Sequence, residues 1–368
     1  MTAATIVVCP GDGIGPEVTR EARAVLELCA RRFDLQLEFA EAVIGGAAID
    51  RDGTALPPAS FELARRGDAV LLGAVGGPKW DDPQSTVRPE QALLGLRRGL
   101  ELFANLRPIV AHPALLPAAP LKREIVEDVD IMFVRELTGG VYFGQPSERR
   151  SGPDGRHAVD TVVYSEVEVA RVARLAFQLA MARRKRVTQV DKANILATSR
   201  LWREVTHEVG REFPDVACDD VLVDAMSMHL LRRPRDFDVV VTENMFGDIL
   251  TDEASVLTGS LGMLPSASVG DARNTLGQRR GLYEPIHGSA PDIAGKDVAN
   301  PLGAILSAAM LCEHSLGQSA PARAIEAAVG AVIDTGLRTA DVRQDGCTIV
   351  GCRAMGEAVR DALSRATA

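Results

Sequence analysis

The sequence predicts an α/β fold, in which a sheet is covered by helices on both sides. Short apolar runs rich in β-branched residues alternate with longer segments of helical periodicity along most of the chain. Several of the apolar runs are followed directly by polar residues that could carry function, such as Lys192 after the run that ends at Val190. Ligand-binding residues of α/β proteins commonly lie at such strand ends.

The individual elements follow from the same periodicity. The predicted strands are residues 5–9, 68–72, 130–135, 186–190 and 237–241. The predicted helices are residues 16–31, 165–183, 199–211 and 300–314, with a further helix that begins after Pro89. Residues 112–120 are rich in proline, and we expect a domain to begin near this loop. Residues 142–163 are polar and rich in Gly and Arg, which predicts a projecting arm or a hairpin.

Composition narrows the possible classes of function. The chain has 368 residues, of which 46% are hydrophobic, enough for two substructures with cores of their own. Its net charge of −9 argues against nucleic acid and anionic membranes as partners. The six cysteines are scattered, so we expect reduced thiols. No targeting segment and no apolar run of membrane-spanning length is evident, and we therefore expect a cytoplasmic protein.

The most informative segment is residues 239–264, which runs from an apolar strand into a helix. That helix carries Asp248 and Asp252, which are four residues apart and share one face. Two stacked carboxylates repel each other unless a positive charge lies nearby, and no basic residue occurs within one turn. A hard divalent cation such as Mg²⁺ or Mn²⁺ is the favoured partner. The alternative is a solvated acidic face with Lys or Arg neighbours.

The glycine-rich segment after the first strand is not a dinucleotide fingerprint of the Rossmann type. It reads GDGIGPE from Gly11 to Glu17, and Pro16 stands where the third glycine of that fingerprint belongs. A tight strand-to-helix turn explains the segment equally well, because proline commonly occupies the first turn of a helix.

A set of arginines beside apolar residues is typical of a site for a substrate with two carboxylates. Glu90, Leu93, Leu94 and Arg97 fall on one face of the helix that follows Pro89. Arg107 and Arg135 follow in the motifs NLRP and FVRELTGG, and arginine binds carboxylates with two parallel hydrogen bonds. The alternative places the leucines in the core and the arginines on the surface.

Three further polar residues occupy suggestive positions. Lys192 and Asp224 each follow an apolar run, and Asp224 could be a third metal ligand or a helix N-cap. Tyr142, one of only three tyrosines, follows Gly139 and Gly140 and could be a proton donor or a packed aromatic residue.

Together these segments resemble those of the 3-isopropylmalate dehydrogenases, within the isocitrate/isopropylmalate dehydrogenase superfamily. The resemblance covers nearly the whole chain, with the family's motifs in the expected order. They are GDGIGPE, LLGAVGGPKWD, RPEQALLGLR, FANLRP, VRELTGGVYFG, VDKAN, VDAM, NMFGDILTDEASVLTGSLGMLPSAS and YEPIHGSAPDIAGKDVANP.

The resemblance implies two α/β domains that share a large mixed sheet, with the active site in the cleft between them and no Rossmann fold. The first, on the cofactor side, would comprise residues 1–102 and 259–368. The second, with dimerisation, metal and substrate functions, would comprise residues 103–258. The family is homodimeric, its arms, here near residues 141–161, interlock, and Lys192 and Asp224 would reach the site of the other subunit.

The resemblance also implies a role for each candidate site residue. Tyr142 and Lys192 would be the catalytic acid–base pair, and Asp224, Asp248 and Asp252 would bind Mg²⁺ or Mn²⁺. Substrate-binding residues would be Arg97, Arg107, Arg135, Asp224, Glu90, Leu93 and Leu94. Residues that bind NAD would be Ile14, Gly76, Gly77, Glu90, His287, Gly288, Ser289, Ala290, Asp292 and Asn300.

The implied reaction is the NAD-dependent oxidative decarboxylation of (2R,3S)-3-isopropylmalate to 4-methyl-2-oxopentanoate and CO₂, a step of leucine biosynthesis. Isocitrate dehydrogenases have Ser and Asn where this chain has Gln91 and Leu93, and NADP-dependent relatives have Lys-Tyr where it has Asp292 and Ile293. A D-malate or tartrate dehydrogenase is the alternative enzyme, although the motif VRENTEG typical of them reads VRELTGG here. A regulatory subunit or a binding protein without turnover is disfavoured, because the metal and acid–base residues are all present.

Overall fold

The computed structural model describes residues 3–82 and 85–365. The chain divides into two compact units. Unit 1 comprises Met1–Leu102, Ala111–Arg123 and Ser255–Ala368, and unit 2 comprises Phe103–Val110 and Glu124–Ala254. The predicted α/β fold class is confirmed, since a large mixed sheet is built from strands that alternate with helices.

The N-terminal part of unit 1 alternates strands and helices. Its strands are β1 (Ala4–Gly11), β2 (Leu37–Glu41) and β3 (Ala69–Ala74). Its helices are α1 (Gly15–Arg32), α2 (Gly45–Asp52), α3 (Pro58–Arg66) and α4 (Glu90–Gly99). Every residue of β3 is buried, as expected for a central parallel strand with both faces covered. Pro16 stands in the first turn of α1, so the glycine-rich segment is a strand-to-helix turn.

Unit 2 has a five-stranded sheet and a separate hairpin. The strands are β4 (Ala104–Val110), β5 (Asp130–Glu136), β6 (Glu148–Gly152), β7 (Gly155–Val159), β8 (Arg186–Asp191), β9 (Ala217–Leu222) and β10 (Val239–Thr242). The helices are α5 (Arg123–Val126), α6 (Glu166–Met181), α7 (Ala197–Gly210), α8 (Val223–Arg232) and α9 (Asn244–Ser255). The strand order is β4-β5-β10-β8-β9, antiparallel only between β4 and β5.

The hairpin lies in the segment predicted to be an arm or a hairpin. Strands β6 and β7 pair in antiparallel fashion, and all ten of their residues are exposed. Since a hairpin of two strands is marginally stable alone in water, this one is a candidate for contact with another surface.

The C-terminal part completes unit 1. Its strands are β11 (Pro265–Arg273), β12 (Arg279–Pro285), β13 (Leu337–Arg338) and β14 (Thr348–Ile349). Its helices are α10 (Leu302–His314), α11 (Ser319–Asp334) and α12 (Cys352–Arg365). The strand order within unit 1 is β2-β1-β3-β12-β11, and only β11 and β12 are antiparallel.

All predicted strands and helices occur, with ends displaced by a few residues. Helix α10, for example, begins at Leu302 and not at Asn300, whose side chain accepts a hydrogen bond from the Leu302 N–H and so closes the turn before the helix. The six cysteines are free thiols, as predicted. Within residues 3–82 and 85–365, no helix has the length and apolar character needed to cross a membrane.

Candidate active site

The turn after β1 is tied to two neighbouring segments through Asp12. The buried Asp12 carboxylate accepts hydrogen bonds from the backbone N–H groups of Gly46 and Ala47, at 2.8 and 2.9 Å, and of Gly76, at 2.9 Å. A carboxylate with three amide donors is well stabilised without a cationic partner. Asp12 therefore fixes the position of the loop that contains Gly76 and Gly77.

The same turn meets the loop after β12, so that four of the predicted cofactor residues lie together. The Ile14 N–H donates to the Ser289 carbonyl oxygen at 2.8 Å. A Cβ atom on Gly76 would lie 3.0 Å from Glu90 Oε1 and 3.8 Å from Ser289 Oγ. Gly13 has a φ of +58°, and a Cβ there would lie 2.0 Å from the Ser289 oxygen, so only glycine fits.

The remaining residues of this loop differ in exposure. His287 Nδ1 lies 2.9 Å from the Gly288 carbonyl oxygen, and its buried Nε2 has no hydrogen-bond partner among the described residues. Burial lowers the pKa of His287, so the imidazole is neutral at neutral pH. Gly288 and Asp292 are exposed, and Ala290 has a φ of +39°.

Asn300, also predicted to hold the cofactor, is occupied by contacts within unit 1. It is buried, and its Nδ2 donates to Asp341 Oδ2 at 3.0 Å, while its Oδ1 accepts from the Leu302 N–H at 3.0 Å. These contacts are structural, and the role of Asn300 toward a cofactor stays a prediction.

The residues of helix α4 that were predicted to line a substrate pocket differ in their burial and contacts. Arg97 is buried, and its Nη2 donates to Glu284 Oε1 on β12 at 2.9 Å. Leu93 and Leu94 are both half-buried, and Leu93 packs against the hydrophobic core of unit 1, whereas Glu90 is exposed. The core interpretation therefore fits Leu93 better than it fits Leu94.

Two arginines from neighbouring strands face the two aspartates of α9. Arg107 on β4 and Arg135 on β5 are buried, and Arg135 forms an ion pair with Asp248. Arg107 Nη2 lies 3.7 Å from Asp248 Oδ1, and its Nη1 lies 3.9 Å from Asp252 Oδ1. No basic residue lies within one turn of the aspartates on α9 itself, and the positive charges beside them come from the sheet.

The pKa values of the two carboxylates are shifted in opposite directions. Burial raises the pKa of Asp248, but the charges of Arg135 and Arg107 outweigh burial and lower it overall. The pKa of Asp252 is raised, first by burial and further by the charge of Asp248, with Arg107 opposing both. Carboxylate oxygens one helical turn apart remain a suitable donor set for a hard divalent cation.

Tyr142 belongs to the same cluster. Its hydroxyl donates to Asp248 Oδ2 at 2.8 Å, and the Arg135 guanidinium carbon lies 5.8 Å from the centre of its ring. Burial and this hydrogen bond raise the pKa of Tyr142 to about 12, so it keeps its proton at neutral pH. With 43% of its surface exposed, the phenol remains accessible from solvent.

Lys192 and Asp224 form a separate pair. Lys192 directly follows β8, Asp224 is the second residue of α8, and the Lys192 Nζ lies 2.5 Å from Asp224 Oδ1. The hydrogen bond from Lys192 lowers the pKa of Asp224. The N-cap alternative for Asp224 was wrong, since Leu222 occupies that position and no side chain caps the helix.

The three predicted metal ligands do not converge within one chain. Among the described residues, the only group of three carboxylate, thiol or imidazole ligands whose atoms lie within 4.8 Å of one another is Glu17, Asp297 and Cys352. Within a single subunit, the Asp224 carboxylate therefore does not group with those of Asp248 and Asp252.

Several contributors to these clusters escaped the sequence analysis. Asn244 and Thr251 contact the arginines from the same face of α9 as the aspartates. In unit 1, Asp12 binds the backbone of Gly76, and Glu284 binds the guanidinium of Arg97. Helical spacing from Asp248 could have identified Asn244 and Thr251, which lie four residues before it and three after it. No comparable signal pointed to Glu284.

Comparisons with known proteins all point to one family of dehydrogenases. The model of the isocitrate/isopropylmalate dehydrogenase family matches residues 5–359. A 3-isopropylmalate dehydrogenase of Anaeromyxobacter dehalogenans is 60% identical over 92% of this chain and 94% of its own length. One of Gloeobacter violaceus is 56% identical over 98% of both chains. The crystal structure of isocitrate dehydrogenase from Methylococcus capsulatus is similar to this chain, with a TM-score of 0.86 and 36% identity. The match covers 98% of this chain and 100% of that one.

Proposed function

The chain belongs to the isocitrate/isopropylmalate dehydrogenase family, and we propose that it catalyses the oxidative decarboxylation of 3-isopropylmalate. The observation that carries the proposal is the cluster of Arg107, Arg135, Tyr142, Asp248 and Asp252 in unit 2. It combines groups for binding carboxylates, for holding a divalent cation and for donating a proton. Relatives that bear this activity are 53–60% identical over nearly the whole chain.

In this proposal the arginines bind the two carboxylates of the substrate. A guanidinium offers parallel hydrogen bonds that match a carboxylate, and burial strengthens its charge. Arg107 and Arg135 serve from unit 2, and Arg97 serves from unit 1, where Glu284 holds its guanidinium. The hydrocarbon group of the substrate is assigned to Leu94 of α4, since Leu93 packs against the core of unit 1.

Asp248 and Asp252 would hold a divalent cation, Mg²⁺ or Mn²⁺, together with Asp224 of the partner subunit. Such a cation would supply positive charge that stabilises the negative charge left on the substrate as CO₂ leaves. The lowered pKa of Asp248 keeps this carboxylate ionised and ready to bind a cation at neutral pH.

The acid–base work is divided between Lys192 and Tyr142. Lys192 would remove the proton of the C2 hydroxyl in the oxidation step, for which NAD⁺ would supply the hydride acceptor. After decarboxylation, Tyr142 donates its proton to C3 of the enol. The pKa of about 12 supports this role, since the phenol is fully protonated when the enol forms.

NAD⁺ binds beside the turn after β1 and the loop after β12. The group formed by Ile14, Gly76, Glu90 and Ser289 supports this location. The exposed carboxylate of Asp292 favours NAD⁺ over NADP⁺, because it can accept a hydrogen bond from a ribose hydroxyl and would repel a 2′-phosphate.

The active unit is a homodimer in which each site uses residues of both subunits. Unit 2 carries the exposed hairpin, and it also exposes large apolar side chains, namely Val163 (53% exposed), Val167 (72%), Ile195 (65%) and Ile249 (60%). Covering these side chains with a partner surface would remove apolar area from water, which favours association. Lys192 and Asp224 of the partner subunit complete each site.

The test is NADH formation from (2R,3S)-3-isopropylmalate, D-malate and isocitrate, each with Mg²⁺ and with excess EDTA. We expect isopropylmalate to have the highest kcat/KM and EDTA to abolish turnover. Preference for D-malate would favour the alternative enzyme, and full activity in EDTA would refute the role given to Asp248 and Asp252.

A further inference from the structure

One face of α9 is built around the two strand arginines. Asn244, Gly247, Asp248, Thr251 and Asp252 are spaced by three and four residues, so they lie along one side of the helix. Asp248 and Asp252 carry the charge of this face. Its neutral residues, Asn244, Gly247 and Thr251, contact the two arginines, and the proposed reaction assigns them no role.

Asn244 receives the Arg135 guanidinium on a single oxygen. Its Oδ1 accepts hydrogen bonds from Arg135 Nε at 3.0 Å and from Arg135 Nη2 at 2.9 Å. The amide is held in this orientation, since Nδ2 donates to the Gly139 carbonyl oxygen at 3.1 Å and the backbone N–H donates to the Tyr164 hydroxyl at 3.0 Å. Tyr164 in turn donates to Glu243 at 3.1 Å.

Gly247 lets the helix approach the arginine closely. A Cβ atom at this position would lie 2.7 Å from Arg135 Cγ, 2.9 Å from Arg135 Cβ and 3.0 Å from Thr242 Cγ2. The aliphatic part of Arg135 is thus packed against the backbone of α9, while Asn244 holds its polar end. Both ends of the side chain are fixed by one helix face.

Arg107 is held by neutral oxygens in a similar way. Its Nε donates to Asn105 Oδ1 at 2.6 Å, and its Nη1 donates to Thr251 Oγ1 at 2.5 Å. Since Thr251 and Asn105 are themselves buried, water does not compete for these bonds.

We propose that Asn244 is a positioning residue that fixes the direction of the Arg135 guanidinium, with Thr251 acting in the same way on Arg107. The inference rests on the proposed function, in which these arginines bind substrate carboxylates. An amide or hydroxyl oxygen orients a guanidinium without neutralising its charge, whereas a carboxylate in the same place would compete with the substrate. Arg135 already pairs with Asp248, so a neutral anchor fixes the direction of its guanidinium without adding a second negative charge that would weaken the binding of a dianionic ligand.

The experiment is a double-mutant cycle with Asn244→Ala and Arg135→Lys. Asn244→Ala should raise the KM for isopropylmalate about tenfold, the size expected for hydrogen bonds to a charged group, and leave the KM for NAD⁺ unchanged. Because lysine has no guanidinium for Asn244 to hold, adding Asn244→Ala to Arg135→Lys should cost less than about twofold more. An equal tenfold loss in both backgrounds would overturn the proposal.

Two further variants separate positioning from general damage. Asn274→Ala removes a buried asparagine of unit 1 whose Nδ2 bonds the Asp68 and Ser315 carbonyl oxygens, so it should lower Tm without changing the KM for isopropylmalate. Asn244→Asp keeps the oxygen acceptor but adds a charge. Crystals should show Arg135 in place in Asn244→Asp and displaced in Asn244→Ala, and both should have a raised KM.

The readouts also distinguish this inference from the proposed function. Wild-type protein that does not oxidise isopropylmalate would refute the proposed function alone, because the two crystal structures would still report whether Asn244 anchors Arg135. If Arg135 keeps its direction in Asn244→Ala, the positioning role is wrong. A wild-type KM in Asn244→Asp would show that the neutrality of the anchor is unimportant.

Discussion

Tyr142 and Lys192, the two residues proposed to transfer protons, each hydrogen-bond an aspartate of unit 2. The Tyr142 hydroxyl donates to Asp248, which keeps the proton on the phenol, and the Lys192 Nζ donates to Asp224. Both residues were singled out from the sequence by position, Tyr142 after two glycines and Lys192 at a strand end. Their partners were not evident, because Asp248 is 106 residues from Tyr142 along the chain.

The two residues should fail at different steps when replaced. Lys192→Met should abolish hydride transfer, because the C2 hydroxyl keeps its proton, while substrate binding is largely retained. Tyr142→Phe should reduce NAD⁺ in a first turnover and then stall, because protonation of C3 is lost. Single-turnover NADH formation, measured alongside release of the keto acid, separates the two lesions. Slower hydride transfer in Tyr142→Phe with a normal later step would contradict the assignment.

Helices α4 and α9 show what helical spacing can and cannot predict. The spacing correctly placed Asp248 and Asp252 on one face, but it gave no information about which elements that face meets. The arginines opposite them come from β4 and β5, whose relation to α9 is set by tertiary packing. In α4, spacing grouped Leu93 with Leu94, and it did not reveal that Leu93 packs against the hydrophobic core of unit 1.

That difference predicts separate consequences for the two leucines. Leu93→Ala should lower the free energy of unfolding by about 2 kcal/mol, because it opens space in packed core. Leu94→Ala should narrow the preference for isopropylmalate over D-malate by up to about tenfold, since burying the apolar group of the substrate contributes roughly 1.5–3 kcal/mol. The ratio of kcat/KM values and chemical denaturation provide the two measurements. Unchanged discrimination in Leu94→Ala would place the apolar pocket elsewhere.

At the scale of the whole molecule, the α/β class could be predicted because apolar strand-like runs alternate with segments of helical periodicity. Strands without an apolar run were not predicted. Strand β11 reads PSASVGDAR, and its small residues are buried by their neighbours without any strong periodicity of their own. The sequence motifs pointed to a homodimer through family resemblance. Physical features of the structure that support it, the exposed hairpin and the exposed apolar residues of unit 2, appear only after folding.

If each site uses residues of both subunits, as proposed, two different inactive subunits should complement each other. A dimer of one Lys192→Met subunit and one Asp248→Asn subunit, purified through two different tags, should have one intact site and about half of wild-type activity. A dimer of Asp248→Asn and Tyr142→Phe subunits is the matched control. These two residues contact each other in one chain at 2.8 Å, so both sites should be inactive. No activity in the first mixed dimer would mean that Lys192 serves its own subunit.

The reaction itself is tested most directly by product stoichiometry. Wild-type protein would be supplied with (2R,3S)-3-isopropylmalate, NAD⁺ and Mg²⁺, and NADH, CO₂ and 4-methyl-2-oxopentanoate would be quantified together. If oxidation and decarboxylation are both catalysed here, the three products should form in equal amounts from the first minutes of turnover. NADH that accumulates without the keto acid and CO₂, or the absence of NADH with this substrate, would contradict the proposed reaction.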